Sequence, residues 1–291
     1  MNAPAPLEKT VCWPQWLEEC RIDDAAMAQA YDSTALPLRA AVKNCIALCH
    51  AVYGEGASAT VHSITNSAAG YWHSRSTQAA PWALLLFSPA YTAASRMAAA
   101  LMPAILAHVP RIGALCVGGM PSQAARLTLE LTGVEDGFIS DEDDALALVQ
   151  TMHSLGAGRL MLLHTGELAA LASAARKAGI VCFEECAEPH LVVAQGHSIH
   201  ADILHFAHGA ACPVLHEQAK SKAACPQHSA YYCSTAPAQA LPYDLVLTQG
   251  MEGCWLHKAL SLEFFTNTSI KAGMLEHESP LFGGGRHEGT E

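Results

Sequence analysis

Short apolar runs alternate with longer amphipathic segments along most of the chain from residue 81 onward. The apolar runs have strand length and cover residues 83–87, 112–117, 137–140, 159–163, 180–183, 191–193 and 243–248. The segments of helical composition cover residues 93–108, 121–131, 141–154, 167–178 and 252–264. Strands that are apolar on both faces and alternate with helices are typical of a parallel sheet covered by helices. The pattern therefore predicts an α/β fold.

The segments on either side of this pattern are different in character. Residues 1–80 have mainly helical composition, with apolar residues at helical spacing from residue 40 to residue 53 and a Gly-Glu-Gly sequence directly after them. Residues 212–242 contain four prolines and predict an irregular connection. The most apolar stretch, residues 97–109, contains Pro103 and is shorter than the roughly 20 residues that a membrane-spanning helix needs.

Composition narrows the class of protein and its partners. Hydrophobic residues make up 51% of the 291 residues and charged residues 15%, which indicates a folded chain of about two domains. Lys and Arg number 16 against 27 Asp and Glu, a formal charge of −11 without a basic stripe, so we expect neither nucleic acid nor membrane as a partner. No secretory signal is visible, and we expect a cytoplasmic protein whose 11 cysteines stay reduced.

Four histidines between residues 197 and 208 are the most informative polar pattern. On a continuous helix His197, His200, His205 and His208 would fall within about 140° of one another. His205 and His208, three residues apart, could hold two positions of a zinc or similar divalent ion. The alternative is a solvated or hydrogen-bonded histidine face in a histidine-rich chain.

Two weaker candidates for chemistry also have structural interpretations. Cys212 lies just past the predicted helix and could be a nucleophile if a base or cation lowered its pKa, but a buried structural thiol is the favoured interpretation. Gly118 and Gly119 follow a strand and precede a helix, where backbone N–H groups can meet a phosphate. The spacing of a dinucleotide-binding glycine motif is absent there, which favours a plain turn.

Residues 82 to about 210 resemble the histidinol dehydrogenase branch of the aldehyde dehydrogenase-like superfamily. The similarity is carried by LLLFSP at 84–89 with AAALMPA at 98–104, by LTGVEDGF at 131–138, and by EPHLVVA at 188–194. ADILHFAHG at 201–209 is similar to the family's S-D-L-L-x-Q-A-E-H-G helix. The C-terminal SPLFGG at 279–284 resembles a P-F-G-G motif of the aldehyde dehydrogenase branch.

The resemblance implies two Rossmann-like parallel-sheet lobes, one inserted in the other. The first would comprise residues 1–80 with 188–291 and the second residues 81–187. It also implies a dehydrogenase of a small alcohol or aldehyde that uses NAD or NADP and a zinc or similar ion. The implied metal ligands are His205 and His208, and the implied cofactor contacts are Phe87, Pro89 and Glu167.

The chain departs from the family at several positions that carry chemistry. The family's Pro-Glu-His-Leu strand falls at residues 242–245, where Tyr243 and Asp244 replace the Glu-His pair, so Asp244 is the candidate acid/base. The glycine-rich loops that contact the cofactor read SPAY at 88–91, SDEDD at 140–144 and HTGE at 164–167. These losses support an alternative function, a catalytically silent relative that keeps a small-molecule or metal site. For the oligomeric state, we expect a monomer or a homodimer, and the sequence does not decide between them.

Overall fold

The structure is a computed structural model that describes residues 11–54, 56, 59–185, 191–193, 197–209, 214–216, 231–232 and 245–275. Two compact units divide the chain: Met1–Ser58 with Ala79–Asn267, and Ala59–Gln78 with Thr268–Glu291. The predicted lobe division at residues 80 and 187 is not the boundary between these units and stays a prediction.

The helices and strands have the following bounds. The helices are α1 (Gln15–Glu18), α2 (Asp24–Ser33), α3 (Leu36–Tyr53), α4 (Ala94–Leu106), α5 (Gln123–Thr132), α6 (Glu142–Met152), α7 (Ala169–Lys177) and α8 (Ala201–His208). The strands are β1 (Ala59–Asn66), β2 (Tyr71–Ala79), β3 (Ala83–Phe87), β4 (Ile112–Val117), β5 (Asp136–Ser140), β6 (Arg159–Leu163), β7 (Val181–Glu185), β8 (Leu191–Val193), β9 (Val214–His216), β10 (Tyr231–Tyr232), β11 (Leu245–Leu247) and β12 (Thr266–Met274). Short 3-10 helices cover His153–Leu155 and Leu262–Phe265.

The first unit is built on five parallel strands in the order β5-β4-β3-β6-β7. In chain order this is 3-2-1-4-5, the arrangement of a Rossmann-type half-sheet. Alternate residues of β3 enter different hydrophobic clusters: Leu85 and Phe87 pack in one, Leu84 and Leu86 in the other. Because all five residues of the strand are buried, the continuous apolar run follows from burial on both faces. The predicted α/β fold is confirmed.

Capping residues mark the ends of the helices that pack on this sheet. The side chains of Ser122 and Asp141 accept hydrogen bonds at the first turns of α5 and α6. Gly133 ends α5 in the left-handed conformation with φ 71°. Gly158, just before β6, lies against the indole of the buried Trp82 so closely that a Cβ would overlap it. The chain just before β6 therefore requires a residue without a side chain where it contacts Trp82.

A second sheet of the first unit has the order β10-β11-β8-β9. β8 is parallel to β11 and β9, whereas β10 is antiparallel to β11. Leu191, Leu204 and Leu247 pack with α3 and α4 residues, including Cys45 and Met102, in a common hydrophobic cluster. The predicted strands at 191–193 and near 243–248 are confirmed.

The second unit is a three-stranded sheet in the order β1-β2-β12. β1 and β2 form an antiparallel hairpin with Ile64 opposite His73. The expectation of mainly helical structure in residues 1–80 is therefore wrong for residues 59–79. No residue within these three strands is buried, so the hairpin lacks the apolar alternation that would have revealed it.

Two further expectations need correction. The predicted helix at 252–264 is wrong, because turns and the 3-10 helix Leu262–Phe265 occupy these residues. Gly253 lies so close to the backbone of Ala41 in α3 that a side chain would not fit there. The histidine-bearing helix begins only at Ala201, so His197 precedes it and His200 is its N-cap. The proposed face of four imidazoles on one helix is wrong.

Among the residues that the structure describes, no single helix is long and apolar enough to cross a membrane. One pair of helices in the described part of the chain, Asp24–Ser33 and Leu36–Tyr53, meets the length and composition test when the two are taken together, and it is bent by 113° at the break between them.

Candidate functional site

The carboxyl edge of the five-stranded sheet contains a switch point between β3 and β6. β4 and β5 lie on one side of this point and β6 and β7 on the other, so the connections after β3 and β6 leave in opposite directions. Ligands of open α/β sheets bind in the crevice at such a point. The crevice is formed here by residues 88–93 after β3 and residues 164–168 after β6, and we call it the switch-point crevice.

Glu167 joins the two loops of the switch-point crevice. Its carboxylate accepts hydrogen bonds from the Ser88 hydroxyl, from Thr165 N at 2.9 Å and from Thr165 Oγ1 at 3.0 Å. Burial opposes ionisation, but the hydrogen bonds from Ser88 and Thr165 outweigh it and lower the pKa of Glu167. The crevice therefore holds an ionised carboxylate that already binds hydroxyl and N–H donors.

His164 organises the same loop from the buried side. Its Nδ1 accepts from Gly166 N at 2.9 Å, which assigns the ring proton to Nε2. Nε2 lies 3.3 Å from the carboxylate of Glu184, whose other oxygen is 2.6 Å from Arg176. The imidazole thus accepts a hydrogen bond from the loop that carries Glu167, and its Nε2 lies near the Glu184 carboxylate without a hydrogen bond to it.

A buried polar cluster surrounds Glu185, the last residue of β7. Its carboxylate accepts from Tyr91 Oη at 2.7 Å, and Arg96 contacts it through Nε at 3.0 Å and through the other guanidinium nitrogen at 2.7 Å. His257 Nδ1 lies 3.4 Å away, and His257 Nε2 is 2.7 Å from the Arg96 carbonyl oxygen. Burial, followed by the charge of Glu185, raises the pKa of Tyr91 well above its usual value, and burial lowers the pKa of His257.

The two predicted metal ligands have different surroundings. His208 is buried, with Nε2 2.9 Å from the carbonyl oxygen of Glu252 and with no hydrogen-bond partner at Nδ1, whereas His205 is exposed. Burial, and next the charge of Arg96, lower the pKa of His208 to about 3, so its ring is neutral. The free Nδ1 lone pair suits one metal bond, but within the described ranges no three His, Cys, Asp or Glu side chains are placed to hold an ion. The described donor set does not by itself fit a zinc ion.

The other predicted site residues fall into two groups. Phe87 is buried at the end of β3, Pro89 lies in the loop that follows it, and Glu167 lies in the loop after β6, so the structure brings all three predicted cofactor contacts to the crevice edge. Cys212 and Asp244, the catalytic candidates, lie outside the described residues.

Sequence reasoning missed the residues that hold the crevice and the buried cluster together. They are Ser88, Tyr91, Arg96, His164, Glu184, Glu185 and His257. The available signal was the pair Glu184-Glu185 at the carboxyl end of an apolar strand, where charged residues are unusual unless they are paired.

A separate surface pocket of about 450 Å³ lies at the opposite, amino-terminal edge of β4 and β5. It is lined by Arg111 and Asp136 among others. Asp136 is held there by Trp13 Nε1 at 2.7 Å, by Arg21 at 2.9 Å and by Arg111 at 3.3 Å. These polar groups satisfy one another and join the N-terminal segment to the sheet, which indicates a structural role.

Comparison with known proteins returns structural similarity alone. No family model and no curated protein matches the chain. Histidinol dehydrogenase from Elizabethkingia anophelis is 13% identical, over 60% of this chain and 41% of that one, with a TM-score of 0.48. Succinate-semialdehyde dehydrogenase from Burkholderia pseudomallei is 14% identical over 67% and 49%, with a TM-score of 0.34. Betaine aldehyde dehydrogenase from Staphylococcus aureus is 10% identical over 63% and 41%, with a TM-score of 0.32.

The chain spans less than half the length of these structures. These three structures are dehydrogenases of the two groups that the sequence motifs resemble.

Proposed function

We propose that this chain binds a nicotinamide dinucleotide in the switch-point crevice and acts as a dehydrogenase on a small alcohol or aldehyde. The observation that carries the proposal is the parallel 3-2-1-4-5 strand order with Ser88 and Glu167 joined across its switch point. This is the place where Rossmann-type sheets hold dinucleotides. The bound dinucleotide would supply the hydride acceptor, which the chain's own side chains lack.

The residues of the crevice suit different parts of such a ligand. Glu167 accepts hydrogen bonds from a hydroxyl and an amide in the free chain, and the hydroxyls of a ribose are donors of the same kind. α4, the first helix after β3, begins at a residue whose side chain does not cap it, and Ser95 Oγ in its first turn has no partner. Uncapped N–H groups at a helix start favour a phosphate.

Glu167 also sets an expected preference between the two nicotinamide cofactors. Its carboxylate is ionised at neutral pH and would repel a phosphate on the ribose that it contacts. We therefore expect NAD to bind more tightly than NADP.

A second function, a catalytically silent small-molecule-binding relative, is favoured by a different observation. Glu167 already accepts hydrogen bonds from Ser88 and Thr165 within the chain, and the exposed run Asp141–Asp144 after β5 adds negative charge at the same edge of the sheet. The predicted metal ligands His205 and His208 also do not converge. A chain with these features could keep the fold while losing turnover.

The test is calorimetric titration of NAD and NADP into the full chain, followed by a turnover assay across small alcohols and aldehydes. Glu167→Gln removes the charge but keeps a hydrogen-bonding oxygen, and Glu130→Gln on the exposed face of α5 is the matched control. We expect NAD to bind, Glu167→Gln to weaken NAD about tenfold, as for loss of a charged hydrogen bond, and the control to leave binding unchanged.

The outcomes separate the two functions. Binding with nicotinamide reduction supports the dehydrogenase, and binding that depends on Glu167 without turnover supports the silent relative. No binding of either dinucleotide up to millimolar concentration refutes a dinucleotide site.

A further inference from the structure

The surface pocket at the amino-terminal edge of β4 and β5 lies where two helices end. Because β3, β4 and β5 are parallel, the helices between them return to this edge, and α4 and α5 both finish there. The pocket is lined by the connections that follow the two helices, residues 108–112 and 132–136, together with Ile105. Helix C-termini carry partial negative charge and favour cations. We call this site the amino-edge pocket.

His108 holds the position at the end of α4 that glycine holds at the ends of two other helices. The chain leaves α5 and α7 through Gly133 and Gly179, with φ 71° and 74°. At all three ends the same pair of hydrogen bonds runs from successive N–H groups to carbonyl oxygens three and five residues earlier. His108 has φ 57°, and of the non-glycine residues that the structure describes it is the one with a positive φ.

The imidazole of His108 is therefore present at a cost to stability. A side chain with positive φ costs free energy that a glycine at the same position would not. Residues held in such a conformation cluster at ligand sites, where the side chain serves binding instead of folding. The outlier directs attention to the pocket that this ring lines.

Two polar side chains of the amino-edge pocket are available to a ligand. The His108 ring and the Glu135 carboxylate are exposed, and neither has a hydrogen bond or an ion pair with another residue in the described part of the chain. Arg111, by contrast, donates to the Val11 carbonyl oxygen at 3.2 Å and lies 3.3 Å from the Asp136 carboxylate. A ligand would therefore meet a carboxylate and an imidazole before it met a free guanidinium.

The charges around the pocket also favour a cation. Two guanidinium groups, those of Arg21 and Arg111, contact Asp136. Three carboxylates lie in or beside the pocket, those of Glu18, Glu135 and Asp136. The balance is one negative charge, to which the two helix ends add. Within the described ranges no three His, Cys, Asp or Glu side chains are placed to hold a metal ion, so the charge pattern favours an organic cation.

We propose that the amino-edge pocket binds a small organic amine. The ammonium group donates to the Glu135 carboxylate and to the neutral ring of His108. The apolar part of the amine lies against Ile105, Val109 and Ile112, which belong to or pack against the hydrophobic cluster beneath the pocket. The volume of about 450 Å³ is that of a small-molecule site. The proposal does not rest on the dinucleotide site, which lies at the opposite edge of the sheet.

The experiment is an amide chemical-shift titration of the isotope-labelled full chain with phenethylamine as the probe. Phenethyl alcohol and hydrocinnamate, which are neutral and anionic molecules of similar size, are the matched ligands. We expect phenethylamine to bind with a dissociation constant of about 1 mM or lower, and each matched ligand to bind at least about fivefold more weakly. The amides of residues 108–112 and 132–136 should shift, and those of residues 164–168 in the switch-point crevice should not.

Two matched pairs of variants separate binding from folding. Glu135→Gln should weaken the amine about fivefold, whereas Glu130→Gln on the exposed face of α5 should leave binding unchanged. His108→Gly should also weaken the amine about fivefold, yet raise the midpoint of thermal unfolding by about 2 °C, because it removes the ring and the unfavourable φ together. Gly179→His makes the reverse change where an added Cβ would meet open space, and it should lower the midpoint by a similar amount without affecting binding.

Several results would overturn the proposal. One is the absence of saturable phenethylamine binding up to about 10 mM. Equal or tighter binding of hydrocinnamate, shifts confined to other parts of the chain, or full amine binding by His108→Gly would do the same. A His108→Gly chain that is more stable and has lost the amine is the expected result, because a residue kept for folding alone would not lower stability.

Discussion

Protonation of His208 is expected to control part of the acid sensitivity of folding. Burial and then the charge of Arg96 lower its pKa from 6.5 to about 3 in the folded chain. Between these two values the unfolded chain binds a proton at this imidazole that the folded chain does not bind. The free energy of unfolding therefore falls as pH falls through this window, by about 1.4 kcal/mol per pH unit for this one group. Between pH 6 and pH 4 the loss amounts to about 2.5 kcal/mol.

The variant His208→Gln isolates this contribution. A glutamine amide can still donate to the Glu252 carbonyl oxygen that His208 Nε2 contacts, but it does not titrate. Urea unfolding followed by circular dichroism at pH 6, 5 and 4 should show that the variant loses about 2.5 kcal/mol less than the parent protein over this range. His257 is present in both proteins, so its own protonation cancels in the comparison.

The matched control is His205→Gln, the same chemical change on an exposed position of the same helix. Its pH profile should coincide with that of the parent protein. Parallel profiles for His208→Gln and the parent would refute the reasoning, because they would mean that His208 is protonated equally in the folded and unfolded chains.

Two further predictions concern the stability of the first unit. Glu185→Gln leaves the buried guanidinium of Arg96 without its charge partner and should cost about 3–5 kcal/mol in urea unfolding. Glu184→Gln, which breaks a pair with the exposed Arg176, should cost about 1 kcal/mol or less, and similar losses for the two variants would contradict the assigned burial. Gly158→Ala places a methyl group against the buried indole of Trp82 and should cost about 1–3 kcal/mol. An unchanged midpoint in thermal unfolding would show that this contact is not tight.

The five-stranded sheet could be predicted because its strands are buried on both faces. That burial leaves continuous apolar runs such as the one at β3, and the sequence also contains the helix signals Ser122, Asp141 and Gly133. Strand order follows less directly from sequence. It depends on which strand lies next to β3 in the sheet, and no apolar run in the sequence contains that information.

The three-stranded sheet could not be predicted from apolar patterning. Its strands are rich in Ser and Thr and have no buried face. The sequences of β1 and β2 therefore do not alternate between apolar and polar residues. The β-branched residues Val61, Ile64 and Thr65, followed by a turn at Asn66–Gly70, were the signal in the sequence. The hairpin register was open to inference from that signal, but the third strand was not.

Part of the candidate site follows from the resemblance. It assigns Pro89 and Glu167 as cofactor contacts, and the structure places both at the switch-point crevice, while their contact with a cofactor stays a prediction. The cluster around Glu185 escaped because Tyr91 and Arg96 are 94 and 89 residues away along the chain, and no local pattern joins such distant residues. His205 and His208 were assigned together by their spacing, yet only tertiary packing decides that one is buried and the other exposed.

The pairing of β2 with β12 has a consequence for how the chain is made. The hydroxyls of Ser76 and Ser269 meet at 2.8 Å although 193 residues separate them. During synthesis the hairpin of β1 and β2 leaves the ribosome long before its third strand exists, and one edge of β2 stays open for that time. An open strand edge is a template for pairing with other chains. Crowded nascent chains are therefore most exposed to mispairing at β2, and the closing of this edge is among the last long-range contacts that folding can make.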